Sequence, residues 1–491
     1  MANLLTALNF EDAPRLPYLN TDSVIDLATG KFVPGTSGEM ILNGGLAPTN
    51  GVIGRPKTFK STFLTGAMVN TVTRYKDAVG IVYDSEHAID KERLLKQQNR
   101  FMDDLEAREA YMRKGGQLDS QLSYMNDVIC DLEGLYAKVK EIAEHKLKHK
   151  KDYVVESPFL DVVTGKPVMV WIPTLVAIDS LTMAKVDAVE RNAAKFDFSD
   201  SKNNAYSMGA GRVKSMIMGS LTSLAVRHGI YFCISAQIGD IIDMSGNYGP
   251  PPKQMQYMKQ GDKLKGVSPN FGVAISNLFE VRATAPLLNS DRSETKYPYA
   301  EGLTGMTEMT QLTAVLTSCK NNPAGCQLQP IVSQNNGPEI ELTHFDYLKI
   351  YKDGLVNKDG NKAAESDPNP RLALLPDITL NRRQAWSKLC DYKTARAAQL
   401  LCQLIWIRQN WSYRSMPVPF DIDPLTISDA LTKQSYAVDD ILNSRGYWTY
   451  DKEDPRPYLS VFDMLSIITG DYKPKLHAVA PANVDTKKKA A

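Results

Sequence analysis

The sequence is poor in the features that would place it outside the ordinary globular class. Its six cysteines are scattered through 491 residues with no CxxC pair. That excludes a disulfide framework or a thiolate zinc site as the organising element and fits free thiols in a reducing compartment. Neither sign of charge dominates: Lys and Arg total 57, Asp and Glu 56, and the net charge is +1. A global basic coat for nucleic acid is therefore excluded, and any such binding has to come from local patches. No apolar run approaches the ~18 residues that a bilayer span needs. No internal repeat with a period of roughly 20 to 50 residues is visible. The N-terminal MANLLTALNFEDAP lacks the basic stretch and apolar core of a secretion signal. The expectation from these absences is a cytoplasmic protein with no membrane partner.

What is present is a hydrophobic fraction of 43% and a charged fraction of 23%, the balance of a soluble globular chain. The length suggests about three domains, or one large core with additions. From Met40 to about Leu342 short apolar runs alternate with helical stretches: Gly51 to Ile53, Ala78 to Tyr83, Leu175 to Ile178, Ile230 to Ser235, Ser276 to Val281 and Leu312 to Ser318. This alternation predicts an α/β domain around a mostly parallel, buried sheet. Residues 91–150, rich in Lys, Glu, Leu and Met, read as a helical insertion. Residues 239–272, rich in Gly, Pro, Gln and Met, read as a long loop of the kind that is functional or disordered. Residues 351–378 read as a linker. A small, mainly helical C-terminal domain is expected over 379–478, and a disordered basic tail over 479–491.

The sharpest local pattern is Gly54-Arg55-Pro56-Lys57-Thr58-Phe59-Lys60-Ser61-Thr62, between a strand and a helical pattern. It matches the phosphate-loop pattern GxxxxGK[ST] except that Phe59 replaces the second glycine. Backbone N–H groups of such a loop and of the helix start cradle phosphate oxygens. Lys60 would neutralise β- and γ-phosphate charge, and the Ser61 hydroxyl would bind Mg²⁺. A basic loop that merely caps a helix is the alternative. The runs ending in Asp84-Ser85-Glu86 and in Asp179-Ser180 place carboxylates at two further strand ends, where open parallel sheets bind ligands. Asp179 would hold Mg²⁺ through water and Glu86 would orient an attacking water. Each carboxylate read alone could equally be a helix N-cap.

In this order the motifs resemble the RecA-type recombinase core, closest to the bacteriophage UvsX-like branch, in which phenylalanine also precedes the phosphate-loop lysine. The resemblance spans about residues 35–345. It implies a RecA-like P-loop ATPase core, ATP and Mg²⁺ as ligands, and catalytic roles for Glu86, Lys60 and Gln237, the last as a polar sensor between the γ-phosphate and a DNA-binding loop. Within DSEHAID it makes Asp90 a contact to adenine; Arg93 departs from the family's aromatic residue. Lys320 matches the first of two lysines that reach a neighbouring subunit's ATP, and Asn322 departs from the second. Two DNA-binding loops are implied. The first holds Lys185, Arg191, Lys195 and Lys202. The second, about Ile238 to Phe271, holds Lys253, Lys259, Lys263 and Lys265 interleaved with Tyr257 and Phe271, the mixture that single-strand binding needs.

The first 35 residues, with apolar Leu4, Leu5, Leu8 and Phe10, would be an oligomerisation segment that docks on a neighbour. The activity implied is that of an ATP-dependent DNA recombinase. It would form helical filaments on single-stranded DNA and pair them with homologous duplex, with single-strand-binding and loader proteins as further partners, in a host cytoplasm if the chain is viral. A ring helicase on the same core and a nucleotide-binding scaffold with little turnover are the rival readings. Two basic features stay open. The run from His145 to Lys151 is a solvated helix end or a DNA contact. The helix with Arg382, Arg383, Lys388, Lys393 and Arg396 is a packing helix with a wet face or a site for duplex capture.

Overall fold

The computed structural model describes residues 16–75, 77–89, 92, 94, 97, 121–124, 131–187, 189, 191, 203–241, 253–267, 270–300, 302–303, 305, 309–334, 336–410, 416, 421–450 and 456–472. Each of the six apolar runs is a strand. In chain order the strands are β1 (Lys31–Pro34), β2 (Met40–Asn43), β3 (Thr49–Gly54), β4 (Val79–Asp84), β5 (Leu122–Tyr124), β6 (Val154–Leu160), β7 (Pro167–Trp171), β8 (Thr174–Asp179), β9 (Ile230–Asp240), β10 (Asp262–Lys265), β11 (Asn277–Pro286), β12 (Met309–Cys319), β13 (Gln327–Leu328), β14 (Ile331–Ser333) and β15 (Gly337–Pro338). The main sheet runs β15-β14-β12-β11-β3-β9-β8-β4-β5, with β10 paired to β9 and β13 to β12. From β11 to β5 every pairing is parallel; β12, β14 and β15 continue antiparallel.

The central strands β3, β4 and β8 and most of β9 are buried on both faces, which is why they read as unbroken apolar runs. Side chains alternate across a strand. On β9, Tyr231 and Cys233 belong to one hydrophobic cluster, while Phe232 and Ile234 belong to the other. The helix Lys60–Arg74 covers the first face with Met68, Val69 and Val72. Its Gly66 permits a close approach to β15: a Cβ there would lie 2.0 Å from Pro338 Cδ. The helices Leu132–Lys148 and Asn203–His228 cover the second face.

Four expectations about organisation meet a different arrangement. Residues 132–148, read as part of an insertion, lay Leu132, Leu135, Val139 and Ala143 into the core. Lys146, from the basic run, is buried too: its Nζ donates to the carbonyl oxygens of Ile172 (2.7 Å) and Gly229 (3.3 Å), and burial pulls its pKa down to about 7. The 351–378 stretch is no bare linker; Leu355–Val356, Arg371–Leu372 and Leu375–Thr379 form a small antiparallel sheet. The helices after 380 share the core of the main sheet instead of standing apart. Leu400, Leu401, Leu404 and Ile405 lie in the same cluster as Val52 and Met68. Residues 1–15 lie outside the described residues, but 16–35 fold onto their own chain. Leu19, Val24, Ile25 and Leu27 are buried, and Asn20 Oδ1 accepts from the Trp448 amide at 3.2 Å. The N-terminal β2 is tied to the C-terminal helix Val461–Thr469 by the Met40 amide, which donates to Asp463 at 2.7 Å.

The five cations of the C-terminal helical region are spent inside the chain. Arg382 pairs with Glu294, Lys388 Nζ donates to the Thr379 carbonyl at 2.6 Å, Lys393 pairs with Asp439 at 2.8 Å, and Arg396 is buried against Gln399 and the Leu459 carbonyl. Arg383 lies 4.0 Å from Glu294. The packing alternative therefore describes this region.

Burial also gives the fold an acid-sensitive point. His344, on the helix Ile340–Tyr351, is fully enclosed, and its Nε2 has no hydrogen-bond partner. Desolvation, aided by the Arg396 charge, pulls its pKa from 6.5 down to about 3. Between those values the unfolded chain binds the proton and the folded chain does not. This site's contribution is thus intact above pH 6.5 and is lost as pH falls toward 3. Denaturant titrations of His344→Gln should show about 2 kcal/mol less stability loss than wild type between pH 7 and pH 5. Equal losses would mean that His344 is protonated in the folded chain.

Candidate functional site

Strand register brings the motif residues together. Parallel pairing sets Gly54 beside Gln237 and Asp84 beside Asp179. The pairing of Ile178 with Ile234 sets Asp179 next to Ser235. The carboxyl ends of β3, β4, β8 and β9 thus converge on the start of the helix Lys60–Arg74. The loop between β3 and that helix is tightly wound. The Thr58 hydroxyl donates to the Arg55 carbonyl at 2.8 Å. Phe59 sits at the helix N-cap with φ 59°, a left-handed conformation that favours glycine. This is where the phosphate-loop pattern has its second glycine; Phe59 keeps the backbone shape and packs its ring against the core. Gly54 leaves room for the loop, since a Cβ there would meet Thr58 Oγ1 at 2.8 Å and Val281 O at 3.0 Å.

Lys60 is only 8% exposed. Burial lowers its pKa, against the pull of the Asp179 and Glu86 charges. Its Nζ donates to the Arg55 carbonyl at 2.7 Å, within the loop. Asp179 is buried, which raises its pKa, while the Ser235 and Ser61 hydroxyls favour its ionised form. Ser235 donates to Oδ1, and the buried Oδ2 has no hydrogen-bond partner. An orphaned carboxylate oxygen beside a serine hydroxyl fits a divalent cation. Among the described residues no cluster of three or more His, Cys, Asp or Glu could hold a metal ion. The pair Ser61 and Asp179 suits Mg²⁺, which takes few protein ligands and completes its shell with phosphate and water.

Glu86 is exposed at the rim, on a turn built by Asp84. The buried Asp84 carboxylate accepts from the amides of Glu86 (3.0 Å) and Ile89 (2.6 Å) and from the Tyr124 hydroxyl (3.2 Å). Glu86 Oε1 accepts from the Ser180 hydroxyl at 2.6 Å and from Gln237 Nε2 at 3.2 Å. The Gln237 amide donates to Thr182 Oγ1 at 2.9 Å, and that hydroxyl donates to the Lys265 carbonyl at 3.0 Å. Asp84, Ser180, Thr182 and Ser235 had no role in the sequence reading. The available signals were a serine directly after Asp179 and a serine two residues before Gln237, on the same face of its strand.

Other expected site residues fare differently. Asp90, Arg93, Lys195 and Lys202 lie outside the described residues. Lys185 is exposed and Arg191 pairs with Asp187 at 2.6 Å. Within the second loop, Ile238 to Asp240 extend β9 and pair with β10. Lys253, Lys259, Lys263 and Lys265 are exposed. Tyr257 is 39% exposed, its ring lying along Gly325. Phe271, expected to contact DNA, is instead 0% exposed, in the core with Ile275 and Leu278, and has no face to offer a base. Lys320 is exposed. Asn322 turns back into its own chain, where Nδ2 donates to the carbonyls of Leu27 (3.2 Å) and Gly30 (2.7 Å) at the end of the helix Val24–Thr29. The residue that departs from the family's second lysine thus has a capping job of its own.

No family model matches the chain, and no curated protein matches it. Among solved structures, the crystal structure of the RadB recombinase is similar over 60% of this chain and 92% of that one, with 14% sequence identity and a TM-score of 0.30.

Proposed function

We propose that the chain is an ATP-dependent DNA recombinase of the RecA type, which assembles on single-stranded DNA and pairs it with homologous duplex. The observation that supports this most is the convergence of Lys60, Asp179, Glu86 and Gln237 on the end of one glycine-started loop. Loop amides and Lys60 would hold the β- and γ-phosphates, and Ser61 and Asp179 would hold Mg²⁺. Bound Mg²⁺ supplies positive charge at the transferring phosphoryl group. Glu86, aimed by Ser180 and Gln237, would align the water that attacks the γ-phosphate. Gln237 carries the link to DNA, because it touches Glu86 on one side and roots the β9–β10 hairpin on the other. Lys320 would act on a neighbouring copy's nucleotide.

The four exposed lysines of the second loop test the DNA half of this reading. Replacing Lys253, Lys259, Lys263 and Lys265 with alanine removes up to four phosphate contacts. The slope of log affinity against log salt for single-stranded DNA should fall by at most roughly 3 in magnitude, at about 0.7 per contact. ATP affinity should stay near wild type, and DNA stimulation of hydrolysis should disappear. An unchanged salt slope with full stimulation would leave the lysines as solvated surface and move the DNA site elsewhere.

A further inference from the structure

The side chain of Arg55 points away from the phosphate loop that carries it. Its guanidinium donates to Asp240 (2.5 Å and 3.3 Å) at the end of β9 and to Asp262 (2.8 Å) at the start of β10. These two aspartates are direct cross-strand partners in the antiparallel hairpin. Like charges placed opposite each other weaken a strand pair. Asp262 is only 5% exposed, so its carboxylate depends on a nearby cation. Arg55 holds the Asp240 carboxyl below the usual carboxylate range, with a smaller contribution from Lys259.

The same guanidinium fork that grips a carboxylate grips a phosphate. The Arg55 side chain is also 46% accessible, so a second anion can reach its guanidinium from solvent. Two anionic partners therefore compete for one cation. We propose that Arg55 is an exchange residue: it staples the hairpin root through Asp240 and Asp262, and a nucleoside triphosphate in the phosphate loop draws it onto phosphate oxygens. Removal of Arg55 leaves the aspartates facing each other and loosens the pairing of β10 with β9. That pairing includes Leu264 with Ile238 and Lys265 with Gln237. Triphosphate binding is thereby felt at Gln237 and at the backbone that carries Lys263 and Lys265, by a route separate from the Glu86–Gln237 hydrogen bond. The inference rests on the reading of the loop as a phosphate site.

Hydrogen exchange of the amides in 238–240 and 262–265, measured on the full chain with and without a non-hydrolysable ATP analogue, tests it alongside calorimetric analogue affinity. In wild type the analogue should speed exchange in β10 several-fold. In Arg55→Met exchange should be fast without the analogue and unresponsive to it. Asp240→Asn, which weakens the competing hold on Arg55, should bind the analogue roughly two- to fivefold more tightly, the range that an exposed ion pair is worth. If wild type binds the analogue but β10 exchange is unchanged or slower, Arg55 is a fixed staple and this inference alone falls. If wild type does not bind the analogue at all, the phosphate-site reading falls and takes the exchange with it.

Discussion

Lys60→Ala should lower ATP hydrolysis about 10²–10³-fold, the loss seen when one preorganised charge or donor is removed from a site of developing negative charge. The expected loss is electrostatic in origin. Lys60 is buried, and the charges of two carboxylates at neighbouring strand ends, Asp179 and Glu86, act on it. Its amine donates to a loop carbonyl, a bond that phosphate oxygens can replace. Truncation leaves Asp179 and Glu86 facing incoming phosphates without a counter-charge, so binding should weaken along with turnover. The fold should survive, because the helix that begins at Lys60 is anchored by Phe63, Met68, Val69 and Val72. A thermal melt close to wild type together with lost turnover is the expected pair of results. Wild-type hydrolysis by a folded Lys60→Ala protein would remove Lys60 from the site.

Glu86→Gln separates chemistry from binding. Loss of a positioned general base costs typically 10²–10⁴-fold in rate. The amide oxygen can still accept from Ser180 and Gln237, as Glu86 Oε1 does in the structure. The turn should keep its shape, since Asp84 holds it through the amides of Glu86 and Ile89. ATP affinity should stay near wild type, and complexes with single-stranded DNA should live longer in ATP because hydrolysis no longer ends them. Stopped-flow release of labelled DNA checks this. Release as fast as wild type in ATP would assign the water-aligning role to another group.

The sheet was legible because parallel strands buried on both faces are written as continuous apolar runs, and Leu175 to Ile178 and Ile230 to Ser235 are such runs. The loop from Gly54 to Phe59, between β3 and the helix Lys60–Arg74, was legible because its residues are contiguous. What depends on register was not. Nothing local says that Ser235 reaches Asp179, that Thr182 reaches Gln237, or that Asp240 faces Asp262 across a hairpin with Arg55 between them. Phe271 misled because an aromatic among lysines has the composition of a stacking platform, whereas its burial is set by the sheet face beneath it. The strands at 355–356, 371–372 and 375–379 were hidden by their shortness and by the Pro, Gly and Asn residues around them. The C-terminal helices carried an apolar stripe, but the stripe does not say which core it joins. Here the partner includes β2, more than 400 positions earlier, through contacts such as Met40 to Asp463.

The central claim is that one site binds and hydrolyses ATP and senses single-stranded DNA through Gln237. The most direct measurement is steady-state ATP hydrolysis by the full chain with Mg²⁺, with and without single-stranded DNA, and with duplex DNA as a control. The account predicts slow turnover alone and a clear acceleration by single-stranded DNA that is absent in Lys60→Ala. Hydrolysis indifferent to DNA, or no hydrolysis under any of these conditions, would contradict it.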